Sequence, residues 1–410
     1  MMSRARILAG LMAGVLLLTL GAGGSAEWHE ETKGGKVSRR TWTDESGKAA
    51  TAPEGYASVK YSYSGTSVTE KYYDLEGNPA RAAGGYYGQI LTYGNKHRLE
   101  ETVFLDEDGE RTECTAGYAR VRIAYTSAGG ITMAAYQDRT GSPVMVPGLG
   151  YAQLKNDYRG TTLTKTVYLD ENKDPVDTPL GYAVMVQSVN KSNKVTGIRF
   201  EHADGSAAVC GEGWASMKRE LDKKNREVSV KYYDLAGKML DRGLGYAYES
   251  RKWESDQIYT VSRYDLEDRQ IPMGAGYMSL RREMNRDGQV IRETYLDENG
   301  EAKENAEGVA SRKYDYDEQG RLARVSFEGA RGDSTENTSG YAGYRETLDA
   351  DGFVLNRVFL GKGGKPVDTA MGYSEIRYLY DENRRVIRRE YYDVNGALVN
   401  AEEGSGMPEA

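Results

Sequence analysis

Residues 276–307 read GYMSLRREMNRDGQVIRETYLDENGEAKENAE, and this stretch decides the fold because near-copies of it tile the chain. It starts with Gly-Tyr, has a turn ending at Gly288, and closes with an aromatic-x-Asp-x-x-Gly sequence ending at Gly300. The first glycines of successive copies lie 30 to 33 residues apart, at Gly55, Gly85, Gly117, Gly150, Gly181, Gly213, Gly245, Gly276, Gly308, Gly340 and Gly372. Such regular spacing indicates a repeat array, in which each repeat buries apolar surface against its neighbours.

Each repeat is predicted to be a β-hairpin, with the order strand, tight turn, strand and longer turn. In one copy Val121, Ile123 and Tyr125 alternate with polar residues, which puts their side chains on one face of a strand. Asp317 and Gly320 are spaced as the first and fourth residues of a type I turn. No segment keeps a helical period for three turns. We therefore expect an all-β fold, a tandem array of about eleven 32-residue β-hairpin units forming an elongated, twisted or superhelical antiparallel repeat sheet.

Two columns of aromatic residues recur in the repeats. The first lies two positions before the Asp of the closing turn, and Phe and Tyr interchange there, so it is predicted to be core; its members include Tyr72, Phe104, Tyr136 and Phe200. The second follows the starting glycine and contains nine Tyr, Trp214 and, as the one exception, Val309, but no Phe, which indicates a need for a polar tip. Either this tip is bonded within the fold, or the rings are exposed and stack on a sugar or another flat ligand. In the second case the contact residues would be Tyr118, Tyr151, Tyr182, Trp214, Tyr246 and Tyr277.

The repeats are flanked by short segments of different composition. Residues 1–26 have a basic start, an apolar run and a small-residue end, as in a signal peptide, with an uncleaved anchor as the alternative. Residues 27–40 form a polar leader, either a cap on the first edge of the sheet or a flexible segment. Residues 41–404 are one continuous repeat domain, and residues 405–410 are expected to be a disordered tail.

Charge and hydropathy limit the partners and the cellular location that the protein can have. The formal net charge is −8, and removing Arg4 and Arg6 with the signal peptide makes it −10, so no nucleic-acid partner is expected. The apolar run, residues 7–20, is too short and glycine-rich for a comfortable membrane span, and no stable span is expected once the signal peptide is cleaved. The protein is predicted to be secreted or at the cell surface, and periplasmic if the host has an outer membrane.

The sequence holds no recognisable catalytic or metal-binding pattern. Cys114 and Cys210 occupy equivalent positions three repeats apart, about 29 Å in a regular stack, which is too far for a disulfide. Only three histidines are present, without ligand spacing, and the acidic turns lack the further ligands of a calcium loop. We predict no catalytic residues, no metal site and no cofactor, and hence a protein that is not an enzyme.

Short motifs resemble known repeat families. Tyr316-Asp317-Glu318-Gln319-Gly320-Arg321-Leu322 is similar to the YD (RHS-type) repeat of bacterial secreted and toxin-shell proteins, and Tyr380-Asp381 begins a similar motif without the glycine. The Tyr-Tyr-Asp-x-x-Gly sequences that begin at Tyr72, Tyr232 and Tyr391 resemble MORN-variant and choline-binding hairpin repeats. The period of 32 differs from the 20–23 residues of those families, and the paired tryptophans of choline sites are missing. The resemblance implies a secreted bacterial hairpin-repeat protein.

Together these observations predict a non-enzymatic, exported repeat protein that serves as a surface-associated binding or scaffold module through multivalent contacts. Its candidate partners are cell-wall polysaccharide and another surface protein. The alternatives are a dedicated carbohydrate or cell-wall binder and a purely structural spacer or shell segment.

Overall fold

The computed structural model describes residues 26–403. The predicted tail and the predicted signal peptide, apart from Ala26, lie outside the described residues. Backbone contacts divide the chain into two compact units. The first extends to Lys218 and includes Tyr233–Lys238, and the second comprises Arg219–Tyr232 and the residues from Met239 onward.

The regular secondary structure of the described residues consists of antiparallel β-strands joined by turns, with one 3-10 turn at Asn95–His97. The first fourteen strands are β1 (Glu27–Lys33), β2 (Lys36–Thr43), β3 (Ser58–Ser64), β4 (Ser67–Tyr73), β5 (Gly88–Tyr93), β6 (Leu99–Leu105), β7 (Arg120–Tyr125), β8 (Ile131–Gln137), β9 (Gln153–Arg159), β10 (Thr162–Leu169), β11 (Val184–Val189), β12 (Val195–Glu201), β13 (Ala207–Ala208) and β14 (Ser216–Leu221). The others are β15 (Glu227–Tyr233), β16 (Met239–Leu240), β17 (Tyr248–Trp253), β18 (Ile258–Tyr264), β19 (Gln270–Ile271), β20 (Ser279–Met284), β21 (Val290–Leu296), β22 (Ser311–Tyr316), β23 (Leu322–Glu328), β24 (Gly343–Leu348), β25 (Val354–Leu360), β26 (Glu375–Tyr380), β27 (Val386–Tyr392) and β28 (Leu398–Glu403). The predicted all-β array of hairpin repeats is confirmed.

Two strands of a repeat pair with each other, and the second of them also pairs with the first strand of the next repeat. In the repeat that starts at Gly308, β22 pairs with β23, from Ser311 opposite Glu328 to Tyr316 opposite Leu322. Strand β23 then pairs with β24 of the following repeat. Contacts therefore stay between sequence neighbours, as a repeat array requires.

The segment predicted as one longer turn is in fact a short third arm between two tight turns. After β25 the chain turns and bridges back, with Leu360 opposite Pro366. The amide of Val367 then donates to the carbonyl of Phe359 over 3.1 Å. In several repeats this arm is long enough to form its own strand, as in β13, β16 and β19. The arm was missed from sequence because two residues are too few to show an alternating pattern.

The acidic turns follow one hydrogen-bonding scheme. Oδ1 of Asp297 accepts from the amides of Asn299 and Glu301, at 2.8 and 2.9 Å. The amide of Gly300 donates to the Asp297 carbonyl, and Gly300 has a φ of +82°. This is a type I turn followed by a left-handed residue, a common three-residue hairpin loop. The recurring acids are therefore held by turn backbone.

In several repeats the starting glycine also lies against the next repeat. The turns that contain these glycines are joined by hydrogen bonds, such as Thr115 N to Gly84 O at 2.8 Å and Thr338 N to Glu307 O at 2.9 Å. A Cβ built on Gly181 would lie 2.6 Å from the carbonyl oxygen of Val209, and its φ is +91°. A left-handed backbone is common to all the starting glycines and explains the regularity of this column, and close stacking adds to it at positions such as Gly181.

The polar leader is part of the array. Residues 27–40 lie in the hairpin formed by β1 and β2, and β2 pairs with β3. Trp28 packs on Trp42 with a centroid separation of 5.3 Å. The leader hairpin is therefore joined to the first repeat by the pairing of β2 with β3.

Candidate binding clefts at breaks in the aromatic ladder

The two aromatic columns interleave into one ladder of rings. In the first compact unit each ring lies 4.2 to 6.0 Å from the next, centroid to centroid. The order is Trp42, Trp28, Tyr56, Tyr72, Tyr86, Phe104, Tyr118, Tyr136, Tyr151, Tyr168, Tyr182, Phe200 and Trp214. Neighbouring rings at these distances and tilted angles contribute attraction beyond their buried area. The ladder is thus a continuous apolar core, and the first column is confirmed as core by its burial.

Four of the predicted contact residues belong to this ladder, and Tyr246 and Tyr277 lie in the second compact unit. Tyr151 is 8% exposed and Trp214 is 2% exposed, while Tyr118, Tyr182, Tyr246 and Tyr277 are half-buried. Tyr182 packs between Tyr168 and Phe200, at 6.0 and 4.4 Å. Its neighbours occupy both sides of the ring, so a flat ligand meets ring edges in the unbroken part of the ladder. A role of these six residues in ligand contact stays a prediction.

Burial changes the ionisation of the ladder tyrosines. Loss of solvation, aided by the negative charge of Cys114 and Glu70 in their ionised forms, raises the pKa of Tyr86 to about 12. Burial likewise raises the pKa of Tyr118, Tyr151 and Tyr182. These phenols are therefore neutral at physiological pH.

In the second compact unit, non-aromatic residues occupy two ladder positions. Arg263 takes the place of a first-column ring, and Val309 takes the place of a second-column ring. At each break an arginine lies over a remaining ring. The guanidinium of Arg263 is 4.4 Å from the ring centroid of Tyr246, and that of Arg312 is 5.6 Å from the centroid of Phe327. A cation–π contact thus replaces ring packing at both breaks.

A cavity of about 250 Å³ opens beside the second break, and we call it the Val309 cleft. It is lined by Glu307, Arg312, Tyr314, Val325, Phe327, Asn337, Thr338, Ser339, Tyr341 and Tyr344. Val325 and Phe327 are 2% and 4% exposed and form its apolar part. The remaining lining side chains carry hydroxyl, amide, carboxylate or guanidinium groups. Such a mixture can hold a small polar ligand against an apolar surface.

The charges of the Val309 cleft balance. An Nη2 of Arg312 donates to a carboxylate oxygen of Glu307 in a close ion pair. Burial alone would lower the pKa of Arg312. The interactions with Tyr295 and Glu307 together exceed this effect, so the pKa of the guanidinium is raised. The hydroxyl of Tyr314 donates to Glu293 Oε2 over 2.8 Å, and burial raises the pKa of this phenol. The cleft therefore presents one cation, one anion and neutral phenols.

A smaller cavity of about 170 Å³ lies at the first break. Its lining includes Tyr246, Glu249 and Arg251. Arg263 Nε donates to Glu249 Oε1 over 3.1 Å, so the residue that interrupts the ladder is held by a carboxylate on the paired strand. Both breaks thus combine an arginine, a glutamate and a cavity. Val309 was visible as an exception in the sequence, but its neighbours in space were not.

The other residues considered in the sequence are dispersed. Cys114 and Cys210 are buried and both are free thiols. His202 Nδ1 lies 2.9 Å from Asp177 Oδ2 in an exposed pair. Across residues 26–403, no group of three or more His, Cys, Asp or Glu side chains is arranged to hold a metal ion. Nor does that part of the chain contain a helix with the length and apolarity needed to cross a membrane.

Comparisons with known proteins place the chain near no established family. No family model matches it, and no curated protein matches it. Among solved structures, the Tc holotoxin pore of Photorhabdus luminescens aligns with 90% of this chain at 10% identity and a TM-score of 0.22. A crystal structure of TcdB2-TccC3 aligns with 94% at 11% identity and a TM-score of 0.18.

A porin-like protein of Bacteroides uniformis aligns with 79% of this chain and 89% of its own, at 8% identity and a TM-score of 0.18. The chain spans only 21% and 25% of the length of the two toxin chains. At TM-scores of this size, neither shared topology nor shared function follows.

Proposed function

We propose that this chain is an exported, non-enzymatic repeat protein that acts as a surface-associated binding or scaffold module through multivalent contacts. The observation that carries the proposal is the recurrence of one contact between repeats, the turn-to-turn hydrogen bond made by Thr115 and again by Thr338. The same bond recurs at six junctions between repeats, with the donor amides on Ala83, Thr115, Gly211, Ala306, Thr338 and Ala370, so equivalent side chains are presented at a regular interval. Weak contacts at such intervals add by avidity.

The use of the acidic residues supports a non-enzymatic role. Carboxylates such as Asp297 and Asp317 accept backbone hydrogen bonds in turns, which uses the oxygens that general acid–base chemistry would need. Arg321 Nε also donates to Asp317 Oδ2 over 2.7 Å. The periodic acids are thus structural members of the hairpins.

A second candidate, carbohydrate binding, is favoured by the lining of the Val309 cleft. Phe327 and Val325 supply an apolar surface, and Asn337 and Ser339 supply hydrogen-bonding groups beside it. Sugars present an apolar ring face with hydroxyl edges, which matches this arrangement.

Retention on a surface tests the proposed function. Purified chain lacking residues 1–26 is incubated with intact cells of the host and with polysaccharide isolated from their envelope, at low salt. A binding module is retained on the cells and is released by high concentrations of its own free, unlabelled form. A folded chain that is retained on neither material contradicts the binding role and favours the spacer alternative. Cell fractionation of the full-length chain tests its export.

A further inference from the structure

We propose that the Val309 cleft is a specific binding site for one neutral pyranose unit. This inference rests on the proposed binding role and gives it a ligand class and a location. Val325 and Phe327 form the apolar part of the site. Arg312, Glu307, Asn337 and Ser339 line the same cavity.

The local departure from the repeat pattern is twofold. Val309 replaces a ring of the ladder, and three residues later Arg312 stands in a column that is apolar in most repeats, with members Val59, Val121, Leu154, Met185, Met217, Leu280 and Ile376. Both changes lie at the same place in the structure, because Arg312 lies over the ring of Phe327 and Phe327 belongs to the same buried cluster as Val309. Departures from an otherwise consistent pattern are expected at functional sites.

The charge balance selects a neutral ligand. Glu307 already neutralises Arg312, so an anionic sugar finds no unpaired cation in the cleft. The hydroxyl groups of a neutral sugar can donate to and accept from the uncharged polar side chains of the lining, such as Thr338 and Ser339, without adding charge.

The size of the cavity limits the ligand to one ring. Its volume of about 250 Å³ lies just below the range of roughly 300–1,000 Å³ that is typical for drug-sized ligands. One pyranose fits this limit, and a longer glycan would extend beyond the cleft. A single site of this kind binds weakly, and retention on a surface then depends on many equal ligands.

The experiment is a titration of the chain lacking residues 1–26, followed by ligand-observed NMR and by calorimetry. The probes are glucose, N-acetylglucosamine and glucuronate. The test variant is Arg312→Met, chosen because Met185 and Met217 occupy the equivalent position in other repeats. Arg345→Ala is the matched control, since Arg345 is exposed and alternates away from the cleft residue Tyr344 on β24. Val309→Tyr, which restores the residue usual in its column, is a second test variant.

The expected result is saturable binding of a neutral sugar that Arg312→Met weakens at least tenfold, that Val309→Tyr also weakens, and that Arg345→Ala leaves unchanged. Absence of saturable binding to the neutral sugars, or tighter binding of glucuronate, overturns the inference. Equal binding by the wild type and a folded Arg312→Met variant does so as well. If the wild-type chain is retained on cells but binds no sugar, the inference about the cleft is wrong and the proposed function still stands. If the wild-type chain is not retained on cells, the proposed function itself is wrong.

Discussion

The hydroxyl of Tyr316 donates a hydrogen bond to the backbone carbonyl of Val290 over 2.7 Å, which links the last residue of one strand to the preceding repeat. Equivalent bonds run from Tyr125 to Leu99 and from Tyr380 to Val354. Tyr316 and Tyr380 are the tyrosines of the two Tyr-Asp motifs in the sequence. The motif therefore has a structural explanation: the tyrosine fastens the repeats together and the aspartate holds the turn.

The first prediction concerns this fastening. Tyr316→Phe removes the hydroxyl and leaves a half-buried carbonyl without this donor, so we expect a loss of about 1 kcal/mol in the free energy of unfolding. Urea denaturation followed by circular dichroism measures it. Tyr63→Phe is the matched control, because Tyr63 makes the same kind of bond to Val37 but is 39% exposed, where water can replace the donor. Equal losses in the two variants would contradict the role of burial.

A second prediction separates backbone strain from close stacking at the starting glycines. Gly181 and Gly213 have φ values of +91° and +86°, so alanine at either position costs about 1–2 kcal/mol. Only Gly181 also brings a Cβ within 2.6 Å of a carbonyl of the next repeat, whereas nothing lies within 4 Å at Gly213. We expect Gly181→Ala to be clearly the less stable variant in thermal denaturation. If Gly213→Ala is as destabilised, stacking is not the cause of the glycine column.

The turns, the hairpins and the all-β class followed from the sequence because each has a local signal. Asp and Gly at fixed spacing specify the turn, and alternation specifies the strand, as in β7 and β22. The ladder had no such signal. Tyr118 and Tyr136 are 18 residues apart and Tyr136 and Tyr151 are 15 apart, so their contact depends on strand register. For the same reason the sequence marked Val309 as an exception but did not indicate that Arg312 lies at the break.

The third prediction concerns high pH. Burial raises the pKa of the ladder phenols, to about 12 for Tyr86, above the ordinary value of 10.0. A group whose pKa is raised by folding contributes its full stabilisation below the unfolded value and loses it as the pH rises through the folded value. We therefore expect stability to fall between about pH 10 and pH 12. Ultraviolet absorbance at the phenolate band, recorded with circular dichroism, measures both changes.

If the ladder is intact, buried tyrosines ionise together with unfolding. Tyr86→Phe is the informative variant, since it keeps the ring and removes one titrating group. Complete phenolate formation near pH 10 with retained β-structure would show that the ladder tyrosines are open to solvent.

The fourth prediction asks whether the second aromatic column, which follows the starting glycines, stabilises the fold or contacts a ligand. Tyr182→Ala removes a half-buried ring between Tyr168 and Phe200, and we expect a loss of about 2–3 kcal/mol, somewhat below that of a fully buried aromatic residue. Tyr182→Phe keeps the ring and loses only the hydrogen bond to Tyr168, so we expect a smaller loss of about 1 kcal/mol. Both variants are also assayed for retention on cells. Lost retention in a stable Tyr182→Phe protein would assign the hydroxyl to ligand contact, against the ladder interpretation.

The central claim is that one small module, a hairpin with a short third arm, is repeated along the chain and pairs with its sequence neighbours through its strands. Amide hydrogen exchange of the chain lacking residues 1–26, resolved by peptide mass spectrometry, tests it most directly. The account predicts slow exchange in the paired strands and fast exchange in the turns between them, in a pattern that recurs about every 32 residues from β1 to β28. Protection confined to one part of the chain, or protection without this period, would contradict the account.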